Sequence, residues 1–477
     1  MKIKPRSILI CFMTVLMLVQ MCKPLSALAS IDKIPVAITF NADVWGAQEE
    51  LVNVLNVLDE HDIRATFFFL GKYAELEPEA LRLVFSRGHE IGARSYDHSR
   101  RLIDIDENEQ KADIERTVNL IVSAIGQRPI GFASPGYFYN NETLNVLKNL
   151  GFVYDRSARG ALHIPNDRSY WRWQNETKRS INYVGVFSNQ RPFIHDQGVY
   201  EFPITYSLDY SSFNLTSGLN PIWWEKINGT DIILSDATWF EELRWNQSRC
   251  LDLLKYGLRQ QIEFKMPLVV SLAPHIIGRV EWIWVLEEFI DFALKNNVVF
   301  LTLNELLNWW FGGSCVRMVK QISKQTTIVG EDVNILIHIY VLKGEIYNVT
   351  VTDEFDGLLR SVSSGGQIVG NKLVWHFDKL NDNFTISYTM NPQYSSFLTQ
   401  GVTLKYMTIS RHLSFFATIN SDDLISIIRS NPVELYVQIN PLLFWMAILL
   451  VIILIISASQ VLYRRIKLVQ GADFRRI

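Results

Sequence analysis

The most constraining feature of this chain is an apolar run near its N-terminus that stops abruptly in polar residues. Residues 35–43 read Pro-Val-Ala-Ile-Thr-Phe-Asn-Ala-Asp, and the apolar part has the length and composition of a buried strand. In folds that alternate strands and helices, the side chains just past the C-terminal end of a parallel strand face the functional site. Asn41 and Asp43 therefore mark the place where we expect chemistry to begin.

Residues 34–313 alternate short apolar runs with stretches of helical period, which predicts an α/β fold with a largely parallel sheet. A distorted (β/α) barrel fits better than a doubly wound sheet, because no glycine-rich dinucleotide-binding turn follows any predicted strand. Residues 160–229 break the alternation and predict an insertion over the barrel mouth. The predicted strands are Val36–Phe40, Arg64–Leu70, Glu90–Ala93, Ile130–Ala133, Phe152–Tyr154, Ile232–Leu234, Leu268–Leu272 and Val298–Leu301.

Period-two alternation with turn residues between the runs replaces this pattern over residues 323–435. Alternation of this kind predicts an antiparallel β-sandwich, which we expect to be Ig-like. The predicted strands are Asn334–Tyr340, Tyr347–Thr352, Lys372–Phe377, Asn383–Thr389 and Val402–Ser410.

Two further apolar segments predict targeting. Residues 1–29 join early basic residues, an apolar stretch and small residues at a cleavage position, as in a secretory signal peptide; an uncleaved anchor helix is the alternative. Residues 441–463 carry no charge and are long enough to cross a hydrocarbon core of roughly 30 Å, so we expect a transmembrane helix rather than a buried soluble one. The basic tail 464–477 predicts a cytoplasmic C-terminus and an external N-terminal part. We therefore expect a single-pass protein of the cell membrane.

The predicted external part carries sequons and two cysteines. After removal of the signal peptide, Cys250 and Cys315 remain, and in an oxidising exterior they form either one disulfide or two buried thiols. The net charge of −3 and the absence of a strongly basic run give no nucleic-acid-binding footprint. The sequons, which permit N-glycosylation without proving it, are at Asn141, Asn175, Asn214, Asn228, Asn246, Asn348 and Asn383.

Three stretches resemble motifs of one enzyme family. Residues 39–45 read Thr-Phe-Asn-Ala-Asp-Val-Trp, residues 64–71 read Arg-Ala-Thr-Phe-Phe-Phe-Leu-Gly, and residues 88–98 read Gly-His-Glu-Ile-Gly-Ala-Arg-Ser-Tyr-Asp-His. They resemble the polysaccharide deacetylases, the NodB-homology carbohydrate esterases, and the likeness extends over residues 34–312. In that family one Asp and two His hold a divalent metal, usually zinc. The matching residues here are Asp43 and His98, with Arg94 in the place of the first His.

The resemblance also shows which catalytic groups are replaced. Asn41 stands where the family has its catalytic base, Ala133 where it has an Arg that orients this base, and Ala273 where it has the general-acid His. An amide has no usable proton affinity near neutral pH, so Asn41 cannot act as a base. His275 replaces the acid only if its strand continues past Pro274.

Two hypotheses concern the missing metal ligand. Asp97 or His275 supplies a third ligand, although Asp97 also fits the alternative of a solvated or capping carboxylate. Otherwise the Arg94 guanidinium occupies the place of the metal and pairs with Asp43, supplying positive charge. For His98, a hydrogen-bonded structural histidine is an equal alternative to a ligand.

These observations leave three functional hypotheses. The first is a degenerate, membrane-anchored deacetylase domain that binds a surface polysaccharide or another envelope protein without turnover and holds no cofactor. The second is an active hydrolase that removes N- or O-acetyl groups from a surface polysaccharide and uses zinc or another divalent metal. The third is a structural envelope protein. Metal content separates the first two.

Overall fold

The computed structural model describes residues 33–158, 191–207, 232–233, 246–392, 403–405, 408–415, 417–421, 424–430 and 433–438, together with Leu449 and Ile453. The expected signal peptide, residues 1–29, and the tail, 464–477, lie outside these residues, as does 441–463 apart from Leu449 and Ile453. In the part of the chain that is described, no helix is long and apolar enough to span a membrane.

The N-terminal part is built on a curled sheet of mostly parallel strands in the order β10-β1-β2-β3-β4-β5-β7-β6, with β11 paired to the start of β1. All of β1 is buried, which explains its unbroken apolar run. The strands of the N-terminal part are β1 (Ile34–Ala42), β2 (Thr66–Phe69), β3 (Glu90–Ala93), β4 (Gly131–Phe132), β5 (Tyr154–Asp155), β6 (Phe193–Ile194), β7 (Tyr200–Glu201), β8 (Tyr206–Ser207), β9 (Ile232–Ile233), β10 (Leu268–Leu272) and β11 (Val298–Phe300). Strands β8 and β9 form a separate antiparallel pair, so the predicted strand Ile232–Leu234 does not join the parallel sheet.

The two ends of the curl meet through the segment that follows β7. Ile204 donates its backbone N–H to the carbonyl of Ala158, and Thr205 donates to the carbonyl of Val269 on β10. The Thr205 hydroxyl oxygen in turn accepts the backbone N–H of Val269 at 2.9 Å. The segment therefore bridges the end of β5 to β10 and brings their C-terminal ends to a common rim.

Helices connect most of the strands and confirm the helical periods of the sequence. Glu107–Ile125 shows the capping that defines such a helix, since Asp106 accepts a hydrogen bond from the Glu109 N–H and Gly126 is left-handed with φ 70°. The helices are α1 (Gln48–Glu60), α2 (Gly71–Leu76), α3 (Pro78–Ser86), α4 (Glu107–Ile125), α5 (Asn141–Asn149), α6 (Gln247–Phe264), α7 (Pro274–Ile277), α8 (Ile283–Leu294) and α9 (Leu303–Leu307).

The structure confirms β3 and β10 with the bounds that the sequence predicts. It differs from the expected bounds of the insertion and of the C-terminal part. Tyr200–Glu201 pairs with β5 in the main sheet, so part of the expected insertion 160–229 belongs to the fold itself. Residues 159–190 and most of 208–245 lie outside the described residues. The C-terminal part begins before residue 323, because Cys315–Ile322 is already one of its strands.

The C-terminal part consists of three mainly antiparallel sheets around an apolar core, with β13 and β24 as a parallel pair. Val333–Lys343 shows the period-two burial that the sequence predicts. The strands are β12 (Cys315–Ile322), β13 (Thr326–Ile328), β14 (Val333–Lys343), β15 (Ile346–Glu354), β16 (Leu358–Val362), β17 (Gln367–Val369), β18 (Lys372–Leu380), β19 (Phe384–Asn391), β20 (Thr403–Lys405), β21 (Thr408–Phe415), β22 (Ala417–Asn420), β23 (Ile428–Arg429) and β24 (Val433–Gln438).

The C-terminal part docks at the N-terminal ends of the parallel strands. Arg317 on β12 forms two hydrogen bonds of 2.7 Å with the Glu305 carboxylate and a third with the carbonyl of Phe300. Arg64, just before β2, donates to the carbonyl of Met318 at 3.1 Å. This interface lies at the opposite ends of the parallel strands from Asn41 and Asp43. The described strands of the C-terminal part therefore do not contact the C-terminal rim through it.

The two cysteines do not form the disulfide considered from the sequence. Cys250 and Cys315 are both buried and are not joined to each other. They belong to different apolar clusters, Cys250 to the main core of the curled sheet and Cys315 to the cluster beside α9. The Cys315 thiol donates to the carbonyl of Glu305 at 3.4 Å. Each thiol is therefore a packing group in its own cluster.

The sequon asparagines that the structure describes lie where a glycan has access. Asn348 and Asn383 are exposed on the C-terminal sheets, Asn246 is exposed as the N-cap of α6, and Asn141 is half-buried at the start of α5. Asn175, Asn214 and Asn228 lie outside the described residues.

Candidate functional site

The site lies at the C-terminal ends of β1, β3, β5 and β10, as the sequence predicts. Asn41 is near the end of β1 and Asp43 follows it, while Arg94 directly follows β3. Arg156 directly follows β5, and Ser271 is near the end of β10. Because these strands are parallel, their ends meet at one rim of the sheet and bring four distant segments together.

Asp43 is paired with the residue that replaces the first metal-binding histidine. The Nε of Arg94 lies 3.1 Å from Oδ1 of Asp43, and the Arg94 side chain is only 2% exposed. On the other side, Nε2 of His98 lies 3.5 Å from Oδ2 of Asp43, and the His98 side chain is half exposed. The structure thus brings Asp43, Arg94 and His98 together, with the guanidinium on the inner side.

Asn41 is held by hydrogen bonds at both ends of its amide. Its Oδ1 accepts a short hydrogen bond from Nη2 of Arg156, and its Nδ2 donates to Oγ of Ser271 at 3.1 Å. Arg156 also donates from Nη1 to Ser271 Oγ at 3.0 Å, and the Tyr137 hydroxyl lies 3.3 Å from the same oxygen. Asn41 is therefore fixed as a neutral polar group that accepts from a cation.

Arg156 takes up a position equivalent to that of the replaced arginine on the neighbouring strand. Phe132 on β4 pairs with Asp155 on β5, so the following residues, Ala133 and Arg156, lie beside each other. Ala133 leaves the base position without a guanidinium of its own, and Arg156 provides one from β5. The Arg156 side chain is fully buried, and its guanidinium carbon lies 4.8 Å from the centre of the Phe68 ring.

Arg156 is a site residue that sequence reasoning missed. The stretch Tyr-Asp-Arg-Ser at 154–157 follows a predicted strand, which is the position where functional side chains of this fold collect. The available signal in the sequence was a charged residue shortly after a predicted apolar strand. Its partner, however, lies far away in the chain, and the motif by itself does not name it.

Ala273, at the position where the resemblance implies the acid, has no titratable group. His275 lies nearby, in a short helix and not on a continuing strand. Strand β10 ends at Leu272, and Pro274–Ile277 turns into a short helix, so the strand does not continue past Pro274. The condition under which His275 would replace the acid by strand alternation is therefore not met. His275 is nevertheless close enough for a charge on its imidazole to act on the pKa of Asp43.

Asp97 is engaged locally. One carboxylate oxygen accepts the backbone N–H of Ser99 at 2.8 Å, and its backbone carbonyl accepts the Ser95 hydroxyl. These contacts fit the capping alternative, since a carboxylate that closes an Asx turn is committed to its own loop.

The electrostatics keep Asp43 ionised. Burial by itself raises the pKa of this carboxyl, but Arg94, followed by His98 and His275, outweighs burial and lowers the pKa below its ordinary value. Burial lowers the pKa of Arg156, yet arginine remains protonated in proteins. The site therefore contains a carboxylate and two guanidinium groups.

These residues do not fit a catalytic zinc. A zinc of this kind needs three protein ligands and an open position for water, whereas Asp43 already faces the buried guanidinium of Arg94. Throughout the described residues, no three His, Cys, Asp or Glu side chains form a group that could hold a metal ion. Asp43 and His98 are two of the three ligands that the family resemblance implies, and a cation takes the side of the third.

A second buried cluster lies behind the site. Asp155 and Glu201 are paired residues of β5 and β7, and both side chains are fully buried. Ser157 donates to Asp155 at 2.7 Å, and Nε2 of His195 lies 2.9 Å from Glu201. Burial, reinforced by Glu201, raises the pKa of Asp155 well above its ordinary value, and burial raises the pKa of Glu201 to about 7.

Comparison with known proteins finds the same family as the motifs. Residues 30–154 match the sequence model described as polysaccharide deacetylase. A peptidoglycan deacetylase-like protein of Gibberella zeae is 28% identical over 123 residues, which is 25% of this chain and 36% of that protein. A peptidoglycan-N-acetylglucosamine deacetylase of Bacillus cereus is 33% identical over 106 residues, which is 22% of this chain and 37% of that protein.

Among solved structures, a putative polysaccharide deacetylase from Mycobacterium smegmatis matches with 20% identity and a TM-score of 0.43, covering 59% of this chain and 92% of that one. The chain spans well under half the length of the curated relatives named above. The match to the family model ends within the curled sheet, at residue 154. Residues 30–154 of this chain are therefore similar in sequence to the polysaccharide deacetylases.

Proposed function

We propose that this chain is a non-catalytic, membrane-anchored member of the polysaccharide deacetylase-like proteins that binds a cell-surface glycan. The observation that carries the proposal is the ion pair between Arg94 and Asp43, with a nitrogen–oxygen distance of 3.1 Å, at the position where the resemblance implies a metal. A glycan hydrolase of this family needs a metal-bound water, a base and an acid. This chain has a guanidinium, an amide and a methyl group in those places.

The charges of the replaced groups compensate one another. The family arrangement combines a dipositive metal with two carboxylates and one arginine. Here Asn41 removes one negative charge and Arg94 adds one positive charge, which together make up the two charges of the metal. Arg156 supplies the remaining arginine. A site with the same total charge keeps its fold without a metal, whereas a site that merely lost its zinc would leave carboxylates buried and unpaired.

The experiment is a combined assay on the purified full chain. Bound zinc is measured by plasma mass spectrometry, acetate release is measured from chitohexaose, and glycan binding is measured on the same preparation. We expect far less than one zinc ion per chain, no acetate release above the rate in buffer, and saturable binding of a glycan. Stoichiometric zinc together with acetate release would instead establish the hydrolase.

We also propose that residues 1–29 direct export and that 441–463 anchor the chain with its basic tail inside. The support is the pattern of the sequence and the exposure of the sequon residues Asn348 and Asn383. Protease treatment of intact cells tests the topology. It should degrade the N-terminal part and spare an epitope tag placed after Ile477, and the reverse pattern would contradict this topology.

A further inference from the structure

Among the described side chains that contact one another in the floor of the site, positive charges outnumber negative charges by one. Arg94 and Arg156 face a single ionised carboxylate, that of Asp43, while Asn41, Ser271 and Tyr137 are neutral. Asp155 adjoins Arg156 in the chain, but its carboxylate accepts a hydrogen bond from Ser157 and belongs to the cluster with Glu201 behind the floor. A buried guanidinium without a counter-charge is unfavourable, so the site attracts an anionic group.

The same floor contains N–H groups without acceptors. Within the described residues, Nη1 and Nε of Arg94, Nε of Arg156 and Oδ1 of Asp43 are buried and form no hydrogen bond. The Arg94 Nε is close to Asp43 but lacks the alignment of a hydrogen bond. Buried polar groups in native structures are almost always satisfied, so unpartnered donors in a site indicate a ligand that accepts hydrogen bonds.

The rim of the site is suited to a saccharide. Trp45 follows Asp43 in the rim loop and is 39% exposed, which leaves an aromatic face available for stacking on a sugar ring. The Lys72 ammonium lies 5.0 Å from the centre of that ring, so the entrance also carries a positive charge beside the two guanidinium groups of the floor. His98, half exposed over Asp43, is the side chain that an incoming group displaces to reach Arg94.

We propose that this site recognises the carboxylate of an acidic sugar, such as a uronic acid unit of a surface polysaccharide, rather than an acetamido group. This inference rests on the proposed non-catalytic glycan binding. A carboxylate is planar and matches the paired N–H groups of a guanidinium, and it supplies the missing negative charge. An acetamido group is neutral and supplies neither feature.

The test measures binding to the full chain by calorimetry with matched hexasaccharides. The probes are hexagalacturonate, hexaglucuronate, the methyl esters of both, and chitohexaose. We expect at least one uronate to bind about tenfold or more tighter than its own ester, because only the acid forms charge-assisted hydrogen bonds. Equal binding of acid and ester, or tighter binding of chitohexaose, would overturn the inference.

Variants locate the binding energy. Arg94→Gln should lower uronate affinity about tenfold and should lower ester affinity less. Lys72→Gln, on the rim and outside the buried ion pair, should weaken the uronate about threefold even if Arg94→Gln fails to fold. Lys379→Gln, on the exposed C-terminal sheet beside Glu345, is the matched control for loss of one charge and should have no effect. Equal losses for acid and ester would contradict the assignment.

The outcomes keep this inference separate from the proposed function. Binding of chitohexaose without acetate release and without preference for uronates would leave the non-catalytic glycan-binding role intact and overturn the acidic-sugar assignment alone. Acetate release from chitohexaose, or failure of every probe to bind, would overturn the proposed function as well.

Discussion

The guanidinium of Arg156, on β5, hydrogen-bonds to the amide oxygen of Asn41, on β1, although 115 positions separate the two residues in the chain. Arg156 thus places a guanidinium from a neighbouring strand beside Asn41. Asn41 is an amide at the position where the family resemblance implies a base. The interaction joins the two changes, because an amide oxygen still accepts from the cation but cannot take a proton.

Replacing Arg94 with histidine should create a zinc site. Arg94→His removes the cation and adds a third ligand next to Asp43 and His98, which the structure already brings together. We expect about one zinc per chain by mass spectrometry and a zinc-dependent rise in Tm. Arg94→Gln is the control, since it removes the cation without adding a ligand. Zinc binding by the glutamine variant, or none by the histidine variant, would show that Arg94 does not occupy a ligand position.

Replacing Asn41 with aspartate should stabilise the protein. Asn41→Asp gives Arg156 a carboxylate partner in a fully buried setting, and pairing such a charge contributes about 1–3 kcal/mol. The partner lowers the pKa of the new carboxyl in the folded state, so the gain is present near pH 7 and is lost as pH falls below about 4. Urea unfolding at both pH values measures it. A variant less stable than wild type at pH 7 would contradict the view that Arg156 lacks a counter-charge.

Asn41→Asp should also abolish selective uronate binding, because the new carboxylate cancels the surplus charge of the floor. The loss should appear as equal affinities for a uronate and its methyl ester. Asn41→Leu, which removes the amide without adding charge, is the matched control and should keep the preference for the acid. Retained selectivity in the aspartate variant would place the carboxylate-binding group elsewhere.

Glu201→Gln should make the protein more stable at alkaline pH. Burial raises the pKa of Glu201 to about 7, so the folded state holds this proton more tightly than the unfolded chain. The stability from this group is full below about pH 4.5 and is lost as pH rises through 7. The variant should match wild type at low pH and exceed it by up to about 3 kcal/mol above pH 7.

Urea unfolding across this pH range measures the difference between the variant and the wild type. Glu79→Gln is the control, because the Glu79 side chain is 81% exposed, and it should show no such dependence on pH. A constant difference across the range would mean that folding does not shift the pKa of Glu201.

Arg317→Ala should weaken the docking of the C-terminal sheets. Its two hydrogen bonds of 2.7 Å to the nearly buried Glu305 carboxylate are lost, which leaves that carboxylate without its cation and costs about 3–5 kcal/mol. Lys379→Ala breaks an exposed pair with Glu345 and should cost less than about 1 kcal/mol. Unfolding free energies of the two variants make the comparison. Equal costs would show that the interface pair contributes no more than a surface pair.

Local patterns in the sequence were enough to predict the parallel sheet and the rim where Asn41, Asp43 and Arg94 lie. The sequence also shows an amide and a methyl group at the positions where the family resemblance implies a base and an acid. These features follow from local patterns, because apolar runs of strand length and helical periods report burial, and residue identity decides whether a side chain can carry a proton. The bounds of β3 and β10 were predictable for that reason.

Only the tertiary structure decided which distant residues meet. It paired Arg156 with Asn41, joined Thr205 to Val269, placed the two cysteines in separate clusters, and began the C-terminal sheets at Cys315. Short strands such as Tyr200–Glu201 have too few residues to show a period. Their pairing partners, and the electrostatic environment of each buried charge, depend on long-range contacts that no local pattern of the chain encodes.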